Sequence, residues 1–242
     1  MKKAIYITLL SLITVFCIIW GTWKNVSGAF KKMGHYFWSH KDDYIELDED
    51  TLIFTNNETK LEPFSKIEGD FKVASFTLKQ GNDFSVSYDA NNKYNVPVFS
   101  VVNGEFVIEQ KSHKKFRTGN NSCKIVVTVP ENHILDFFDV QVDVGEIEIK
   151  NANIEKIKCE VDVGDFKITN TPFSKADLEV DIGEICISNC FSQDEINDYA
   201  LSLETSIGEV QAFSHTSKSY KTRGSSSKYI NADVDVGSIM IR

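Results

Sequence analysis

One eight-residue phrase recurs five times in the C-terminal half of this 242-residue chain: VDVGEIEI (142–149), VDVGDFKI (161–168), VDIGEICI (180–187), TSIGEVQA (205–212) and VDVGSIMI (234–241). No other feature restricts the fold as strongly. Gly145, Gly164 and Gly183 are spaced by 19 and 19 residues, and Gly208 and Gly237 follow at 25 and 29, so loops enter the later copies. A unit of about 20 residues cannot bury its own apolar face, and it becomes stable by stacking on its neighbours.

Aligned on the glycine, the copies show a phase change. Two positions before it stand Asp143, Asp162, Asp181, Ser206 and Asp235. Apolar residues occupy the positions one, three and five before it (Val144, Val142, Val140; Val163, Val161, Cys159; Ile182, Val180, Leu178). After it they occupy the positions two and four on, as in Ile147 and Ile149, Phe166 and Ile168, Ile185 and Ile187. A flat strand would keep one parity, because its side chains alternate between faces. The slip by one residue predicts a bulge or strand corner at Gly145, Gly164, Gly183, Gly208 and Gly237, with those apolar positions facing the core. Six residues after the glycine come Asn151, Asn170 and Asn189. Asparagine accepts left-handed backbone angles and can bond to its copy one rung away, so these mark a second corner.

The pattern predicts an all-β fold: a right-handed parallel β-solenoid with rungs from about 131 to 242, the last rung ending at Arg242. Upstream, residues 44–130 read as short alternating strands with antiparallel hairpins. Asn103-Gly104 is a strong hairpin-turn signal, so Phe99–Val102 and Phe106–Gln110 are expected to pair. Residues 111–122, KSHKKFRTGNNS, read as a solvated basic loop tip.

The N-terminus carries a separate signal. An uncharged apolar run from Ala4 to Trp20 follows Lys2 and Lys3; its 17 residues would reach ~26 Å as a helix, just under the ~30 Å hydrocarbon core. Trp20, Trp23 and Trp38 cluster near its far end, where interfacial aromatics belong. Residues 1–23 are therefore read as a membrane anchor (in contact with the membrane through 4–23) or a signal segment, and 24–43 as an amphipathic juxtamembrane connector. Residues 44–242 form the body. The leading lysines place that body outside the cytoplasm, on a single-pass protein of the cell membrane. His35 and His40 lie in the connector with Asp42 and Asp43, without the spacing of a known metal site.

The net charge of −9 excludes a nucleic-acid binder, which needs a basic face. The aspartates Asp143, Asp162, Asp181 and Asp235 would stack in a column. They are joined by Glu146, Asp165, Glu184 and Glu209, and by Glu160, Glu179, Glu204 and Asp233. Neighbouring carboxylates repel by about 1 kcal/mol in water, which Ca²⁺ could relieve, or the acids could simply be solvated. A paired-carboxylate glycan-cleaving site is a third option. Cys159 reads as a core residue, whereas Cys186 with Cys190, or Cys190 with Cys123, are conceivable pairs. No Ser/His/Asp or Cys/His grouping appears among His113, His133 and His215, and no catalytic residue or cofactor is assigned.

The stretch IVVTVPENHILDFFDVQVDVGEIEI, the repeated Gly-acid-apolar units and the closing VDVGSIMI resemble the bacterial "putative adhesin" domain family. That family was first catalogued as a domain of unknown function and is similar to autotransporter adhesin head domains; FSKIEGDFKV and VNGEFVIEQ fit its N-terminal half. The resemblance covers about residues 44–242. It implies a β-solenoid on a bacterial cell envelope, often behind one membrane segment, with no catalytic residues to carry over. The expected function is therefore non-enzymatic: a membrane-anchored envelope protein that presents the solenoid to a glycan, an envelope polymer or a protein. The alternatives are an accessory protein of an envelope-stress response and, third, a glycan-cleaving β-helix enzyme.

Overall fold

Alternation of apolar and polar residues makes strands of nearly everything that follows Phe54. The computed structural model describes residues 54–91, 93–111, 122–192 and 194–242. The expected anchor, the connector and its His35 and His40 lie outside the described residues. Among the described residues no helix is long and apolar enough to cross a membrane.

Among the described residues thirteen strands form one open sheet. They are β1 (Phe54–Lys60), β2 (Lys66–Gly81), β3 (Ser85–Ala90), β4 (Pro97–Val102), β5 (Glu105–Gln110), β6 (Cys123–Pro130) and β7 (Ile134–Lys150). Then come β8 (Asn153–Thr169), β9 (Phe173–Ser188), β10 (Tyr199–Ala212), β11 (His215–Ser217), β12 (Ser219–Lys221) and β13 (Ser225–Ile241). The fold is all-β, as the pattern requires. The long strands lie side by side and parallel in the order β2, β7, β8, β9, β13, β10. Their glycines are in register: Gly145 on Gly164, Gly164 on Gly183, Gly183 on Gly237, and Gly237 on Gly208.

In that register the apolar residues stack into ladders. Val142, Val161, Val180 and Val234 form one, Ile149, Ile168, Ile187 and Ile241 another, and every member is buried. The hairpin at Asn103-Gly104 is present, with Val102 opposite Glu105 in an antiparallel β4–β5 pair.

The order of the last two rungs departs from the chain order. The sequence predicts that the final copy ends the stack, but β13 lies between β9 and β10. The cause is in the inserted residues. A 19-residue period advances the chain by one strand spacing, as from β7 to β8 to β9. The longer link of 189–198, with its 3-10 turn at Glu195–Asp198, lets β10 settle two spacings on, ~9.6 Å rather than ~4.8 Å. The chain then doubles back along the outer edge of β10, where β12 and β11 pair antiparallel at Ser202–Glu204 and Val210–Ala212. This covers an edge that would otherwise recruit other strands. The vacant position beside β9 is left to β13.

At the other end β2 is the first rung, and its outer side meets two strands instead of one. β5 pairs with Lys66–Asp70 and β6 with Ser75–Gly81. Between them the backbone at Lys72–Val73 loses its neighbour, and the buried Gln110 side chain replaces it. Its Oε1 accepts from the N–H groups of Lys72 (3.0 Å) and Val73 (3.1 Å), and its Nε2 donates to the carbonyls of Val73 (3.1 Å) and Asn95 (2.9 Å). All four bonding positions of the amide are used.

Among the described residues one polar group in the ladders is unpaired. Thr205 continues the valine ladder in β10, is buried, and its Oγ1 has no hydrogen-bond partner. Thr205→Val is expected to stabilise the protein by about 1 kcal/mol, seen as a melting point higher by roughly 2–4 °C. An unchanged or lower melting point would mean that the hydroxyl is satisfied after all.

Candidate functional site

The corners decide which residues the fold presents. Each of the five glycines has φ between +142° and +151°. An added Cβ at Gly164 would sit 2.7 Å from the carbonyl carbon of Gly145, and each other corner glycine faces a backbone carbonyl in the same way. At the opposite ends of β7, β8 and β9, Asn151, Asn170 and Asn189 have φ near +50° (52°, 50° and 53°). Asn170 Nδ2 donates to Asn151 Oδ1 at 3.2 Å.

The residue just before the glycine is not in the core, contrary to its expected parity. Val144, Val163, Ile182, Val236 and Ile207 are 47%, 44%, 52%, 41% and 66% exposed. The bend is wider than a one-residue slip. Between the buried Val142 and the buried Ile147, the whole Asp143–Glu146 segment faces solvent at least in part. A corner with glycine at positive φ turns the preceding Cβ outward along with the aspartate. The five residues stand in register on adjacent strands and form one aliphatic row.

Carboxylates line both sides of this row. On one side are Asp143, Asp162, Asp181 and Asp235, with Ser206 beyond them; the Ser206 hydroxyl donates to Asp235 at 3.4 Å. On the other are Glu146, Asp165, Glu184 and Glu209, with Ser238 between the last two. A further row, Glu160, Glu179, Asp233 and Glu204, runs two residues before the aspartates. Two lysines reach the flanking rows: Lys72 Nζ to Asp143 (3.1 Å), and Lys167 Nζ to Glu146 (2.9 Å) and Asp165 (3.1 Å). Lys158 and Lys150 pair elsewhere, with Asp139 and Glu148.

Crowding shows in the proton affinities. Glu160, Asp162, Glu179, Asp181 and Asp233 are all raised above the usual carboxylate range, first by partial desolvation between the strands and then by neighbouring charges. For Asp162 these are Asp143 and Asp181, for Asp181 it is Asp235, and for Glu179 they are Asp181 and Asp233. The folded state therefore holds more protons than the unfolded chain just above the ordinary value of about 4, and stability falls as pH rises through that window. The melting temperature is expected to rise as pH is lowered from about 6 towards about 4.5, the window just above the ordinary carboxylate value. Salt at about 0.5 M should flatten the rise. A melting point that drops steadily over the same range contradicts this.

Calcium requires six to eight converging oxygens. The carboxylates form parallel rows instead, and among the described residues no three His, Cys, Asp or Glu side chains are grouped to hold a metal ion. Cys123, Cys159, Cys186 and Cys190 are free thiols. Cys123 and Cys190 cannot pair, because β2, β7 and β8 separate β6 from β9, ~19 Å of sheet. Burial pushes the Cys123 thiol up to about 11 and raises Cys159 and Cys190 as well, which keeps these three unreactive. His133 packs edge-on against Phe84 and His215 lies against Tyr220, far apart in the sequence and the sheet. His113 lies outside the described residues.

The sequence names the acids and corners but not the aliphatic row, which has the composition of a core position. Gln110 also carries no sequence signal, since only the divergence of β5 and β6 makes it necessary.

A family profile described as Toastrack DUF4097 matches residues 64–226. Among solved structures, one described as a "putative cell adhesion protein" from Clostridium sporogenes ATCC 15579 is 13% identical with a TM-score of 0.50, over 78% of this chain and 99% of that one. A "putative adhesin" from Bacteroides fragilis NCTC 9343 is 12% identical with a TM-score of 0.28, over 78% and 96%. A "putative lipid binding protein" from Parabacteroides distasonis ATCC 8503 is 14% identical with a TM-score of 0.31, over 78% and 93%. At such identity the first of these is a likeness of fold. No curated protein matches the sequence.

Proposed function

This chain belongs to the Toastrack DUF4097 family, and on that premise we propose that it is a non-enzymatic binding protein of the cell envelope. The observation that carries the reading is the regular outer surface. On five adjacent strands the same side-chain pattern returns at every strand spacing, and the rows face solvent. A periodic surface of this kind suits an extended partner better than a small molecule, which prefers a concave pocket. The fold likeness to a protein described as acting in cell adhesion supports the same reading. In-register parallel rungs with a corner at each end support a right-handed β-solenoid as the finer architecture. The N-terminal segment 4–23 holds the body to the membrane, on its outer side.

The test is direct. Protease added to intact cells should remove the body while sparing cytoplasmic proteins. The purified chain should be retained on isolated cell envelopes or their polymers. Protection in intact cells together with no retention on any envelope fraction would end this reading.

A further inference from the structure

The aliphatic row asks for a partner. A single exposed valine is ordinary, but five β-branched residues in register make one continuous stripe, ~19 Å long at strand spacing. Strand propensity does not explain them, because threonine would serve as well without exposing carbon to water. Solubility does not explain them either.

The flanking charges say what kind of partner fits. Four carboxylates lie on each side, Asp143, Asp162, Asp181 and Asp235 against Glu146, Asp165, Glu184 and Glu209, and only Lys72 and Lys167 form ion pairs with them among the described residues. A second copy would bring the same acids against them and be repelled. An anionic lipid surface would be repelled for the same reason. A partner with an apolar centre and basic margins meets both features at once. At the β2 end the row opens into a depression of about 680 Å³ bordered by Val73, Val144, Asp89, Lys124, Glu146 and Asp165, with room for a bulky side chain.

We infer that this row, with its two acidic margins, is a docking surface for a cationic amphipathic peptide segment. The inference rests on the binding reading above and names the class of partner. Aliphatic side chains of the segment lie along Val144, Val163, Ile182, Val236 and Ile207, and its lysines or arginines reach the carboxylates on either side.

The probe is a labelled synthetic Lys/Leu peptide of about 14 residues, whose ~21 Å helix matches the row. It is titrated against the full-length chain, with a scrambled peptide of the same composition beside it. Binding of the ordered peptide is expected in the micromolar range, at least fivefold tighter than the scrambled one. The exposed double variant Val163→Thr/Ile182→Thr should weaken it at least fivefold. Asp162→Asn/Asp181→Asn should do the same and reduce its salt dependence. Equal binding by both variants, equal binding of the scrambled peptide, binding of the chain alone to anionic vesicles that the Thr variant loses, or a dimer that the Thr variant dissociates would each overturn the inference. Retention on cell envelopes that persists in both variants would sink this inference alone and leave the binding reading in place. Loss of envelope retention by the wild-type chain would remove both.

Discussion

Gly164→Ala is expected to lower the unfolding free energy by roughly 3–5 kcal/mol, among the largest effects of any single methyl group. Two costs coincide. The residue sits at φ +142°, where side chains are strained. The new Cβ would also fall within contact radius of the Gly145 carbonyl. That carbonyl belongs to backbone in the neighbouring rung, so no rotamer change relieves it, and the sheet would have to part at the corner. Gly104→Ala is the control. Gly104 also has positive φ, +77°, but nothing lies within 4 Å of its missing Cβ, so it should cost only about 1 kcal/mol. Urea midpoints at constant m-value decide between them. If the two variants lose the same stability, rung-to-rung contact is not what selects glycine at the corners.

The first rung departs from the pattern. Ala74 occupies the glycine position of β2, paired with Gly145, and is buried. Unlike the five glycines it does not take a positive φ, so its methyl group is not aimed at a neighbouring carbonyl, and its outer neighbour has divided into β5 and β6. An alanine where every other rung has glycine is thus a mark of the end of the stack.

Removal of residues 225–242 is expected to abolish cooperative folding rather than to shorten the stack by one unit. In a repeat array whose last unit is terminal, such a truncation costs one interface and leaves the rest standing. Here β13 pairs with β9 on one side and β10 on the other. Without it two parallel strand edges would face each other about 10 Å apart with their N–H and C=O groups unpaired, and the core would lose the buried Ile230, Val234, Ile239 and Ile241. Insoluble protein, or a soluble product without a sharp thermal transition, is the expected result. A truncated chain that melts cooperatively only a few degrees lower would show that β10 can close directly on β9.

Much of this was legible from spacing alone. The all-β class, the rung length, the corners at Gly145 and Asn151 and the acidic rows all follow from residue periodicity, because backbone geometry forces period two along a strand and tolerates positive φ at few residue types. The aliphatic row was not legible. Val144 and Val142 are the same residue two positions apart, and only the width of the bend sends one outward and the other inward.

Residue spacing settles the rung: its length, its corners and the residues that stack within it. These depend on local backbone chemistry and on copies that match. The order of the rungs and the two ends of the stack are set by long-range packing. Five nearly identical phrases have nearly identical pairing preferences, so their order depends on the reach of the connecting segments and on which edge is already covered. The doubling-back of β11 and β12 covers the edge of β10, and the last strand in the sequence becomes an interior one.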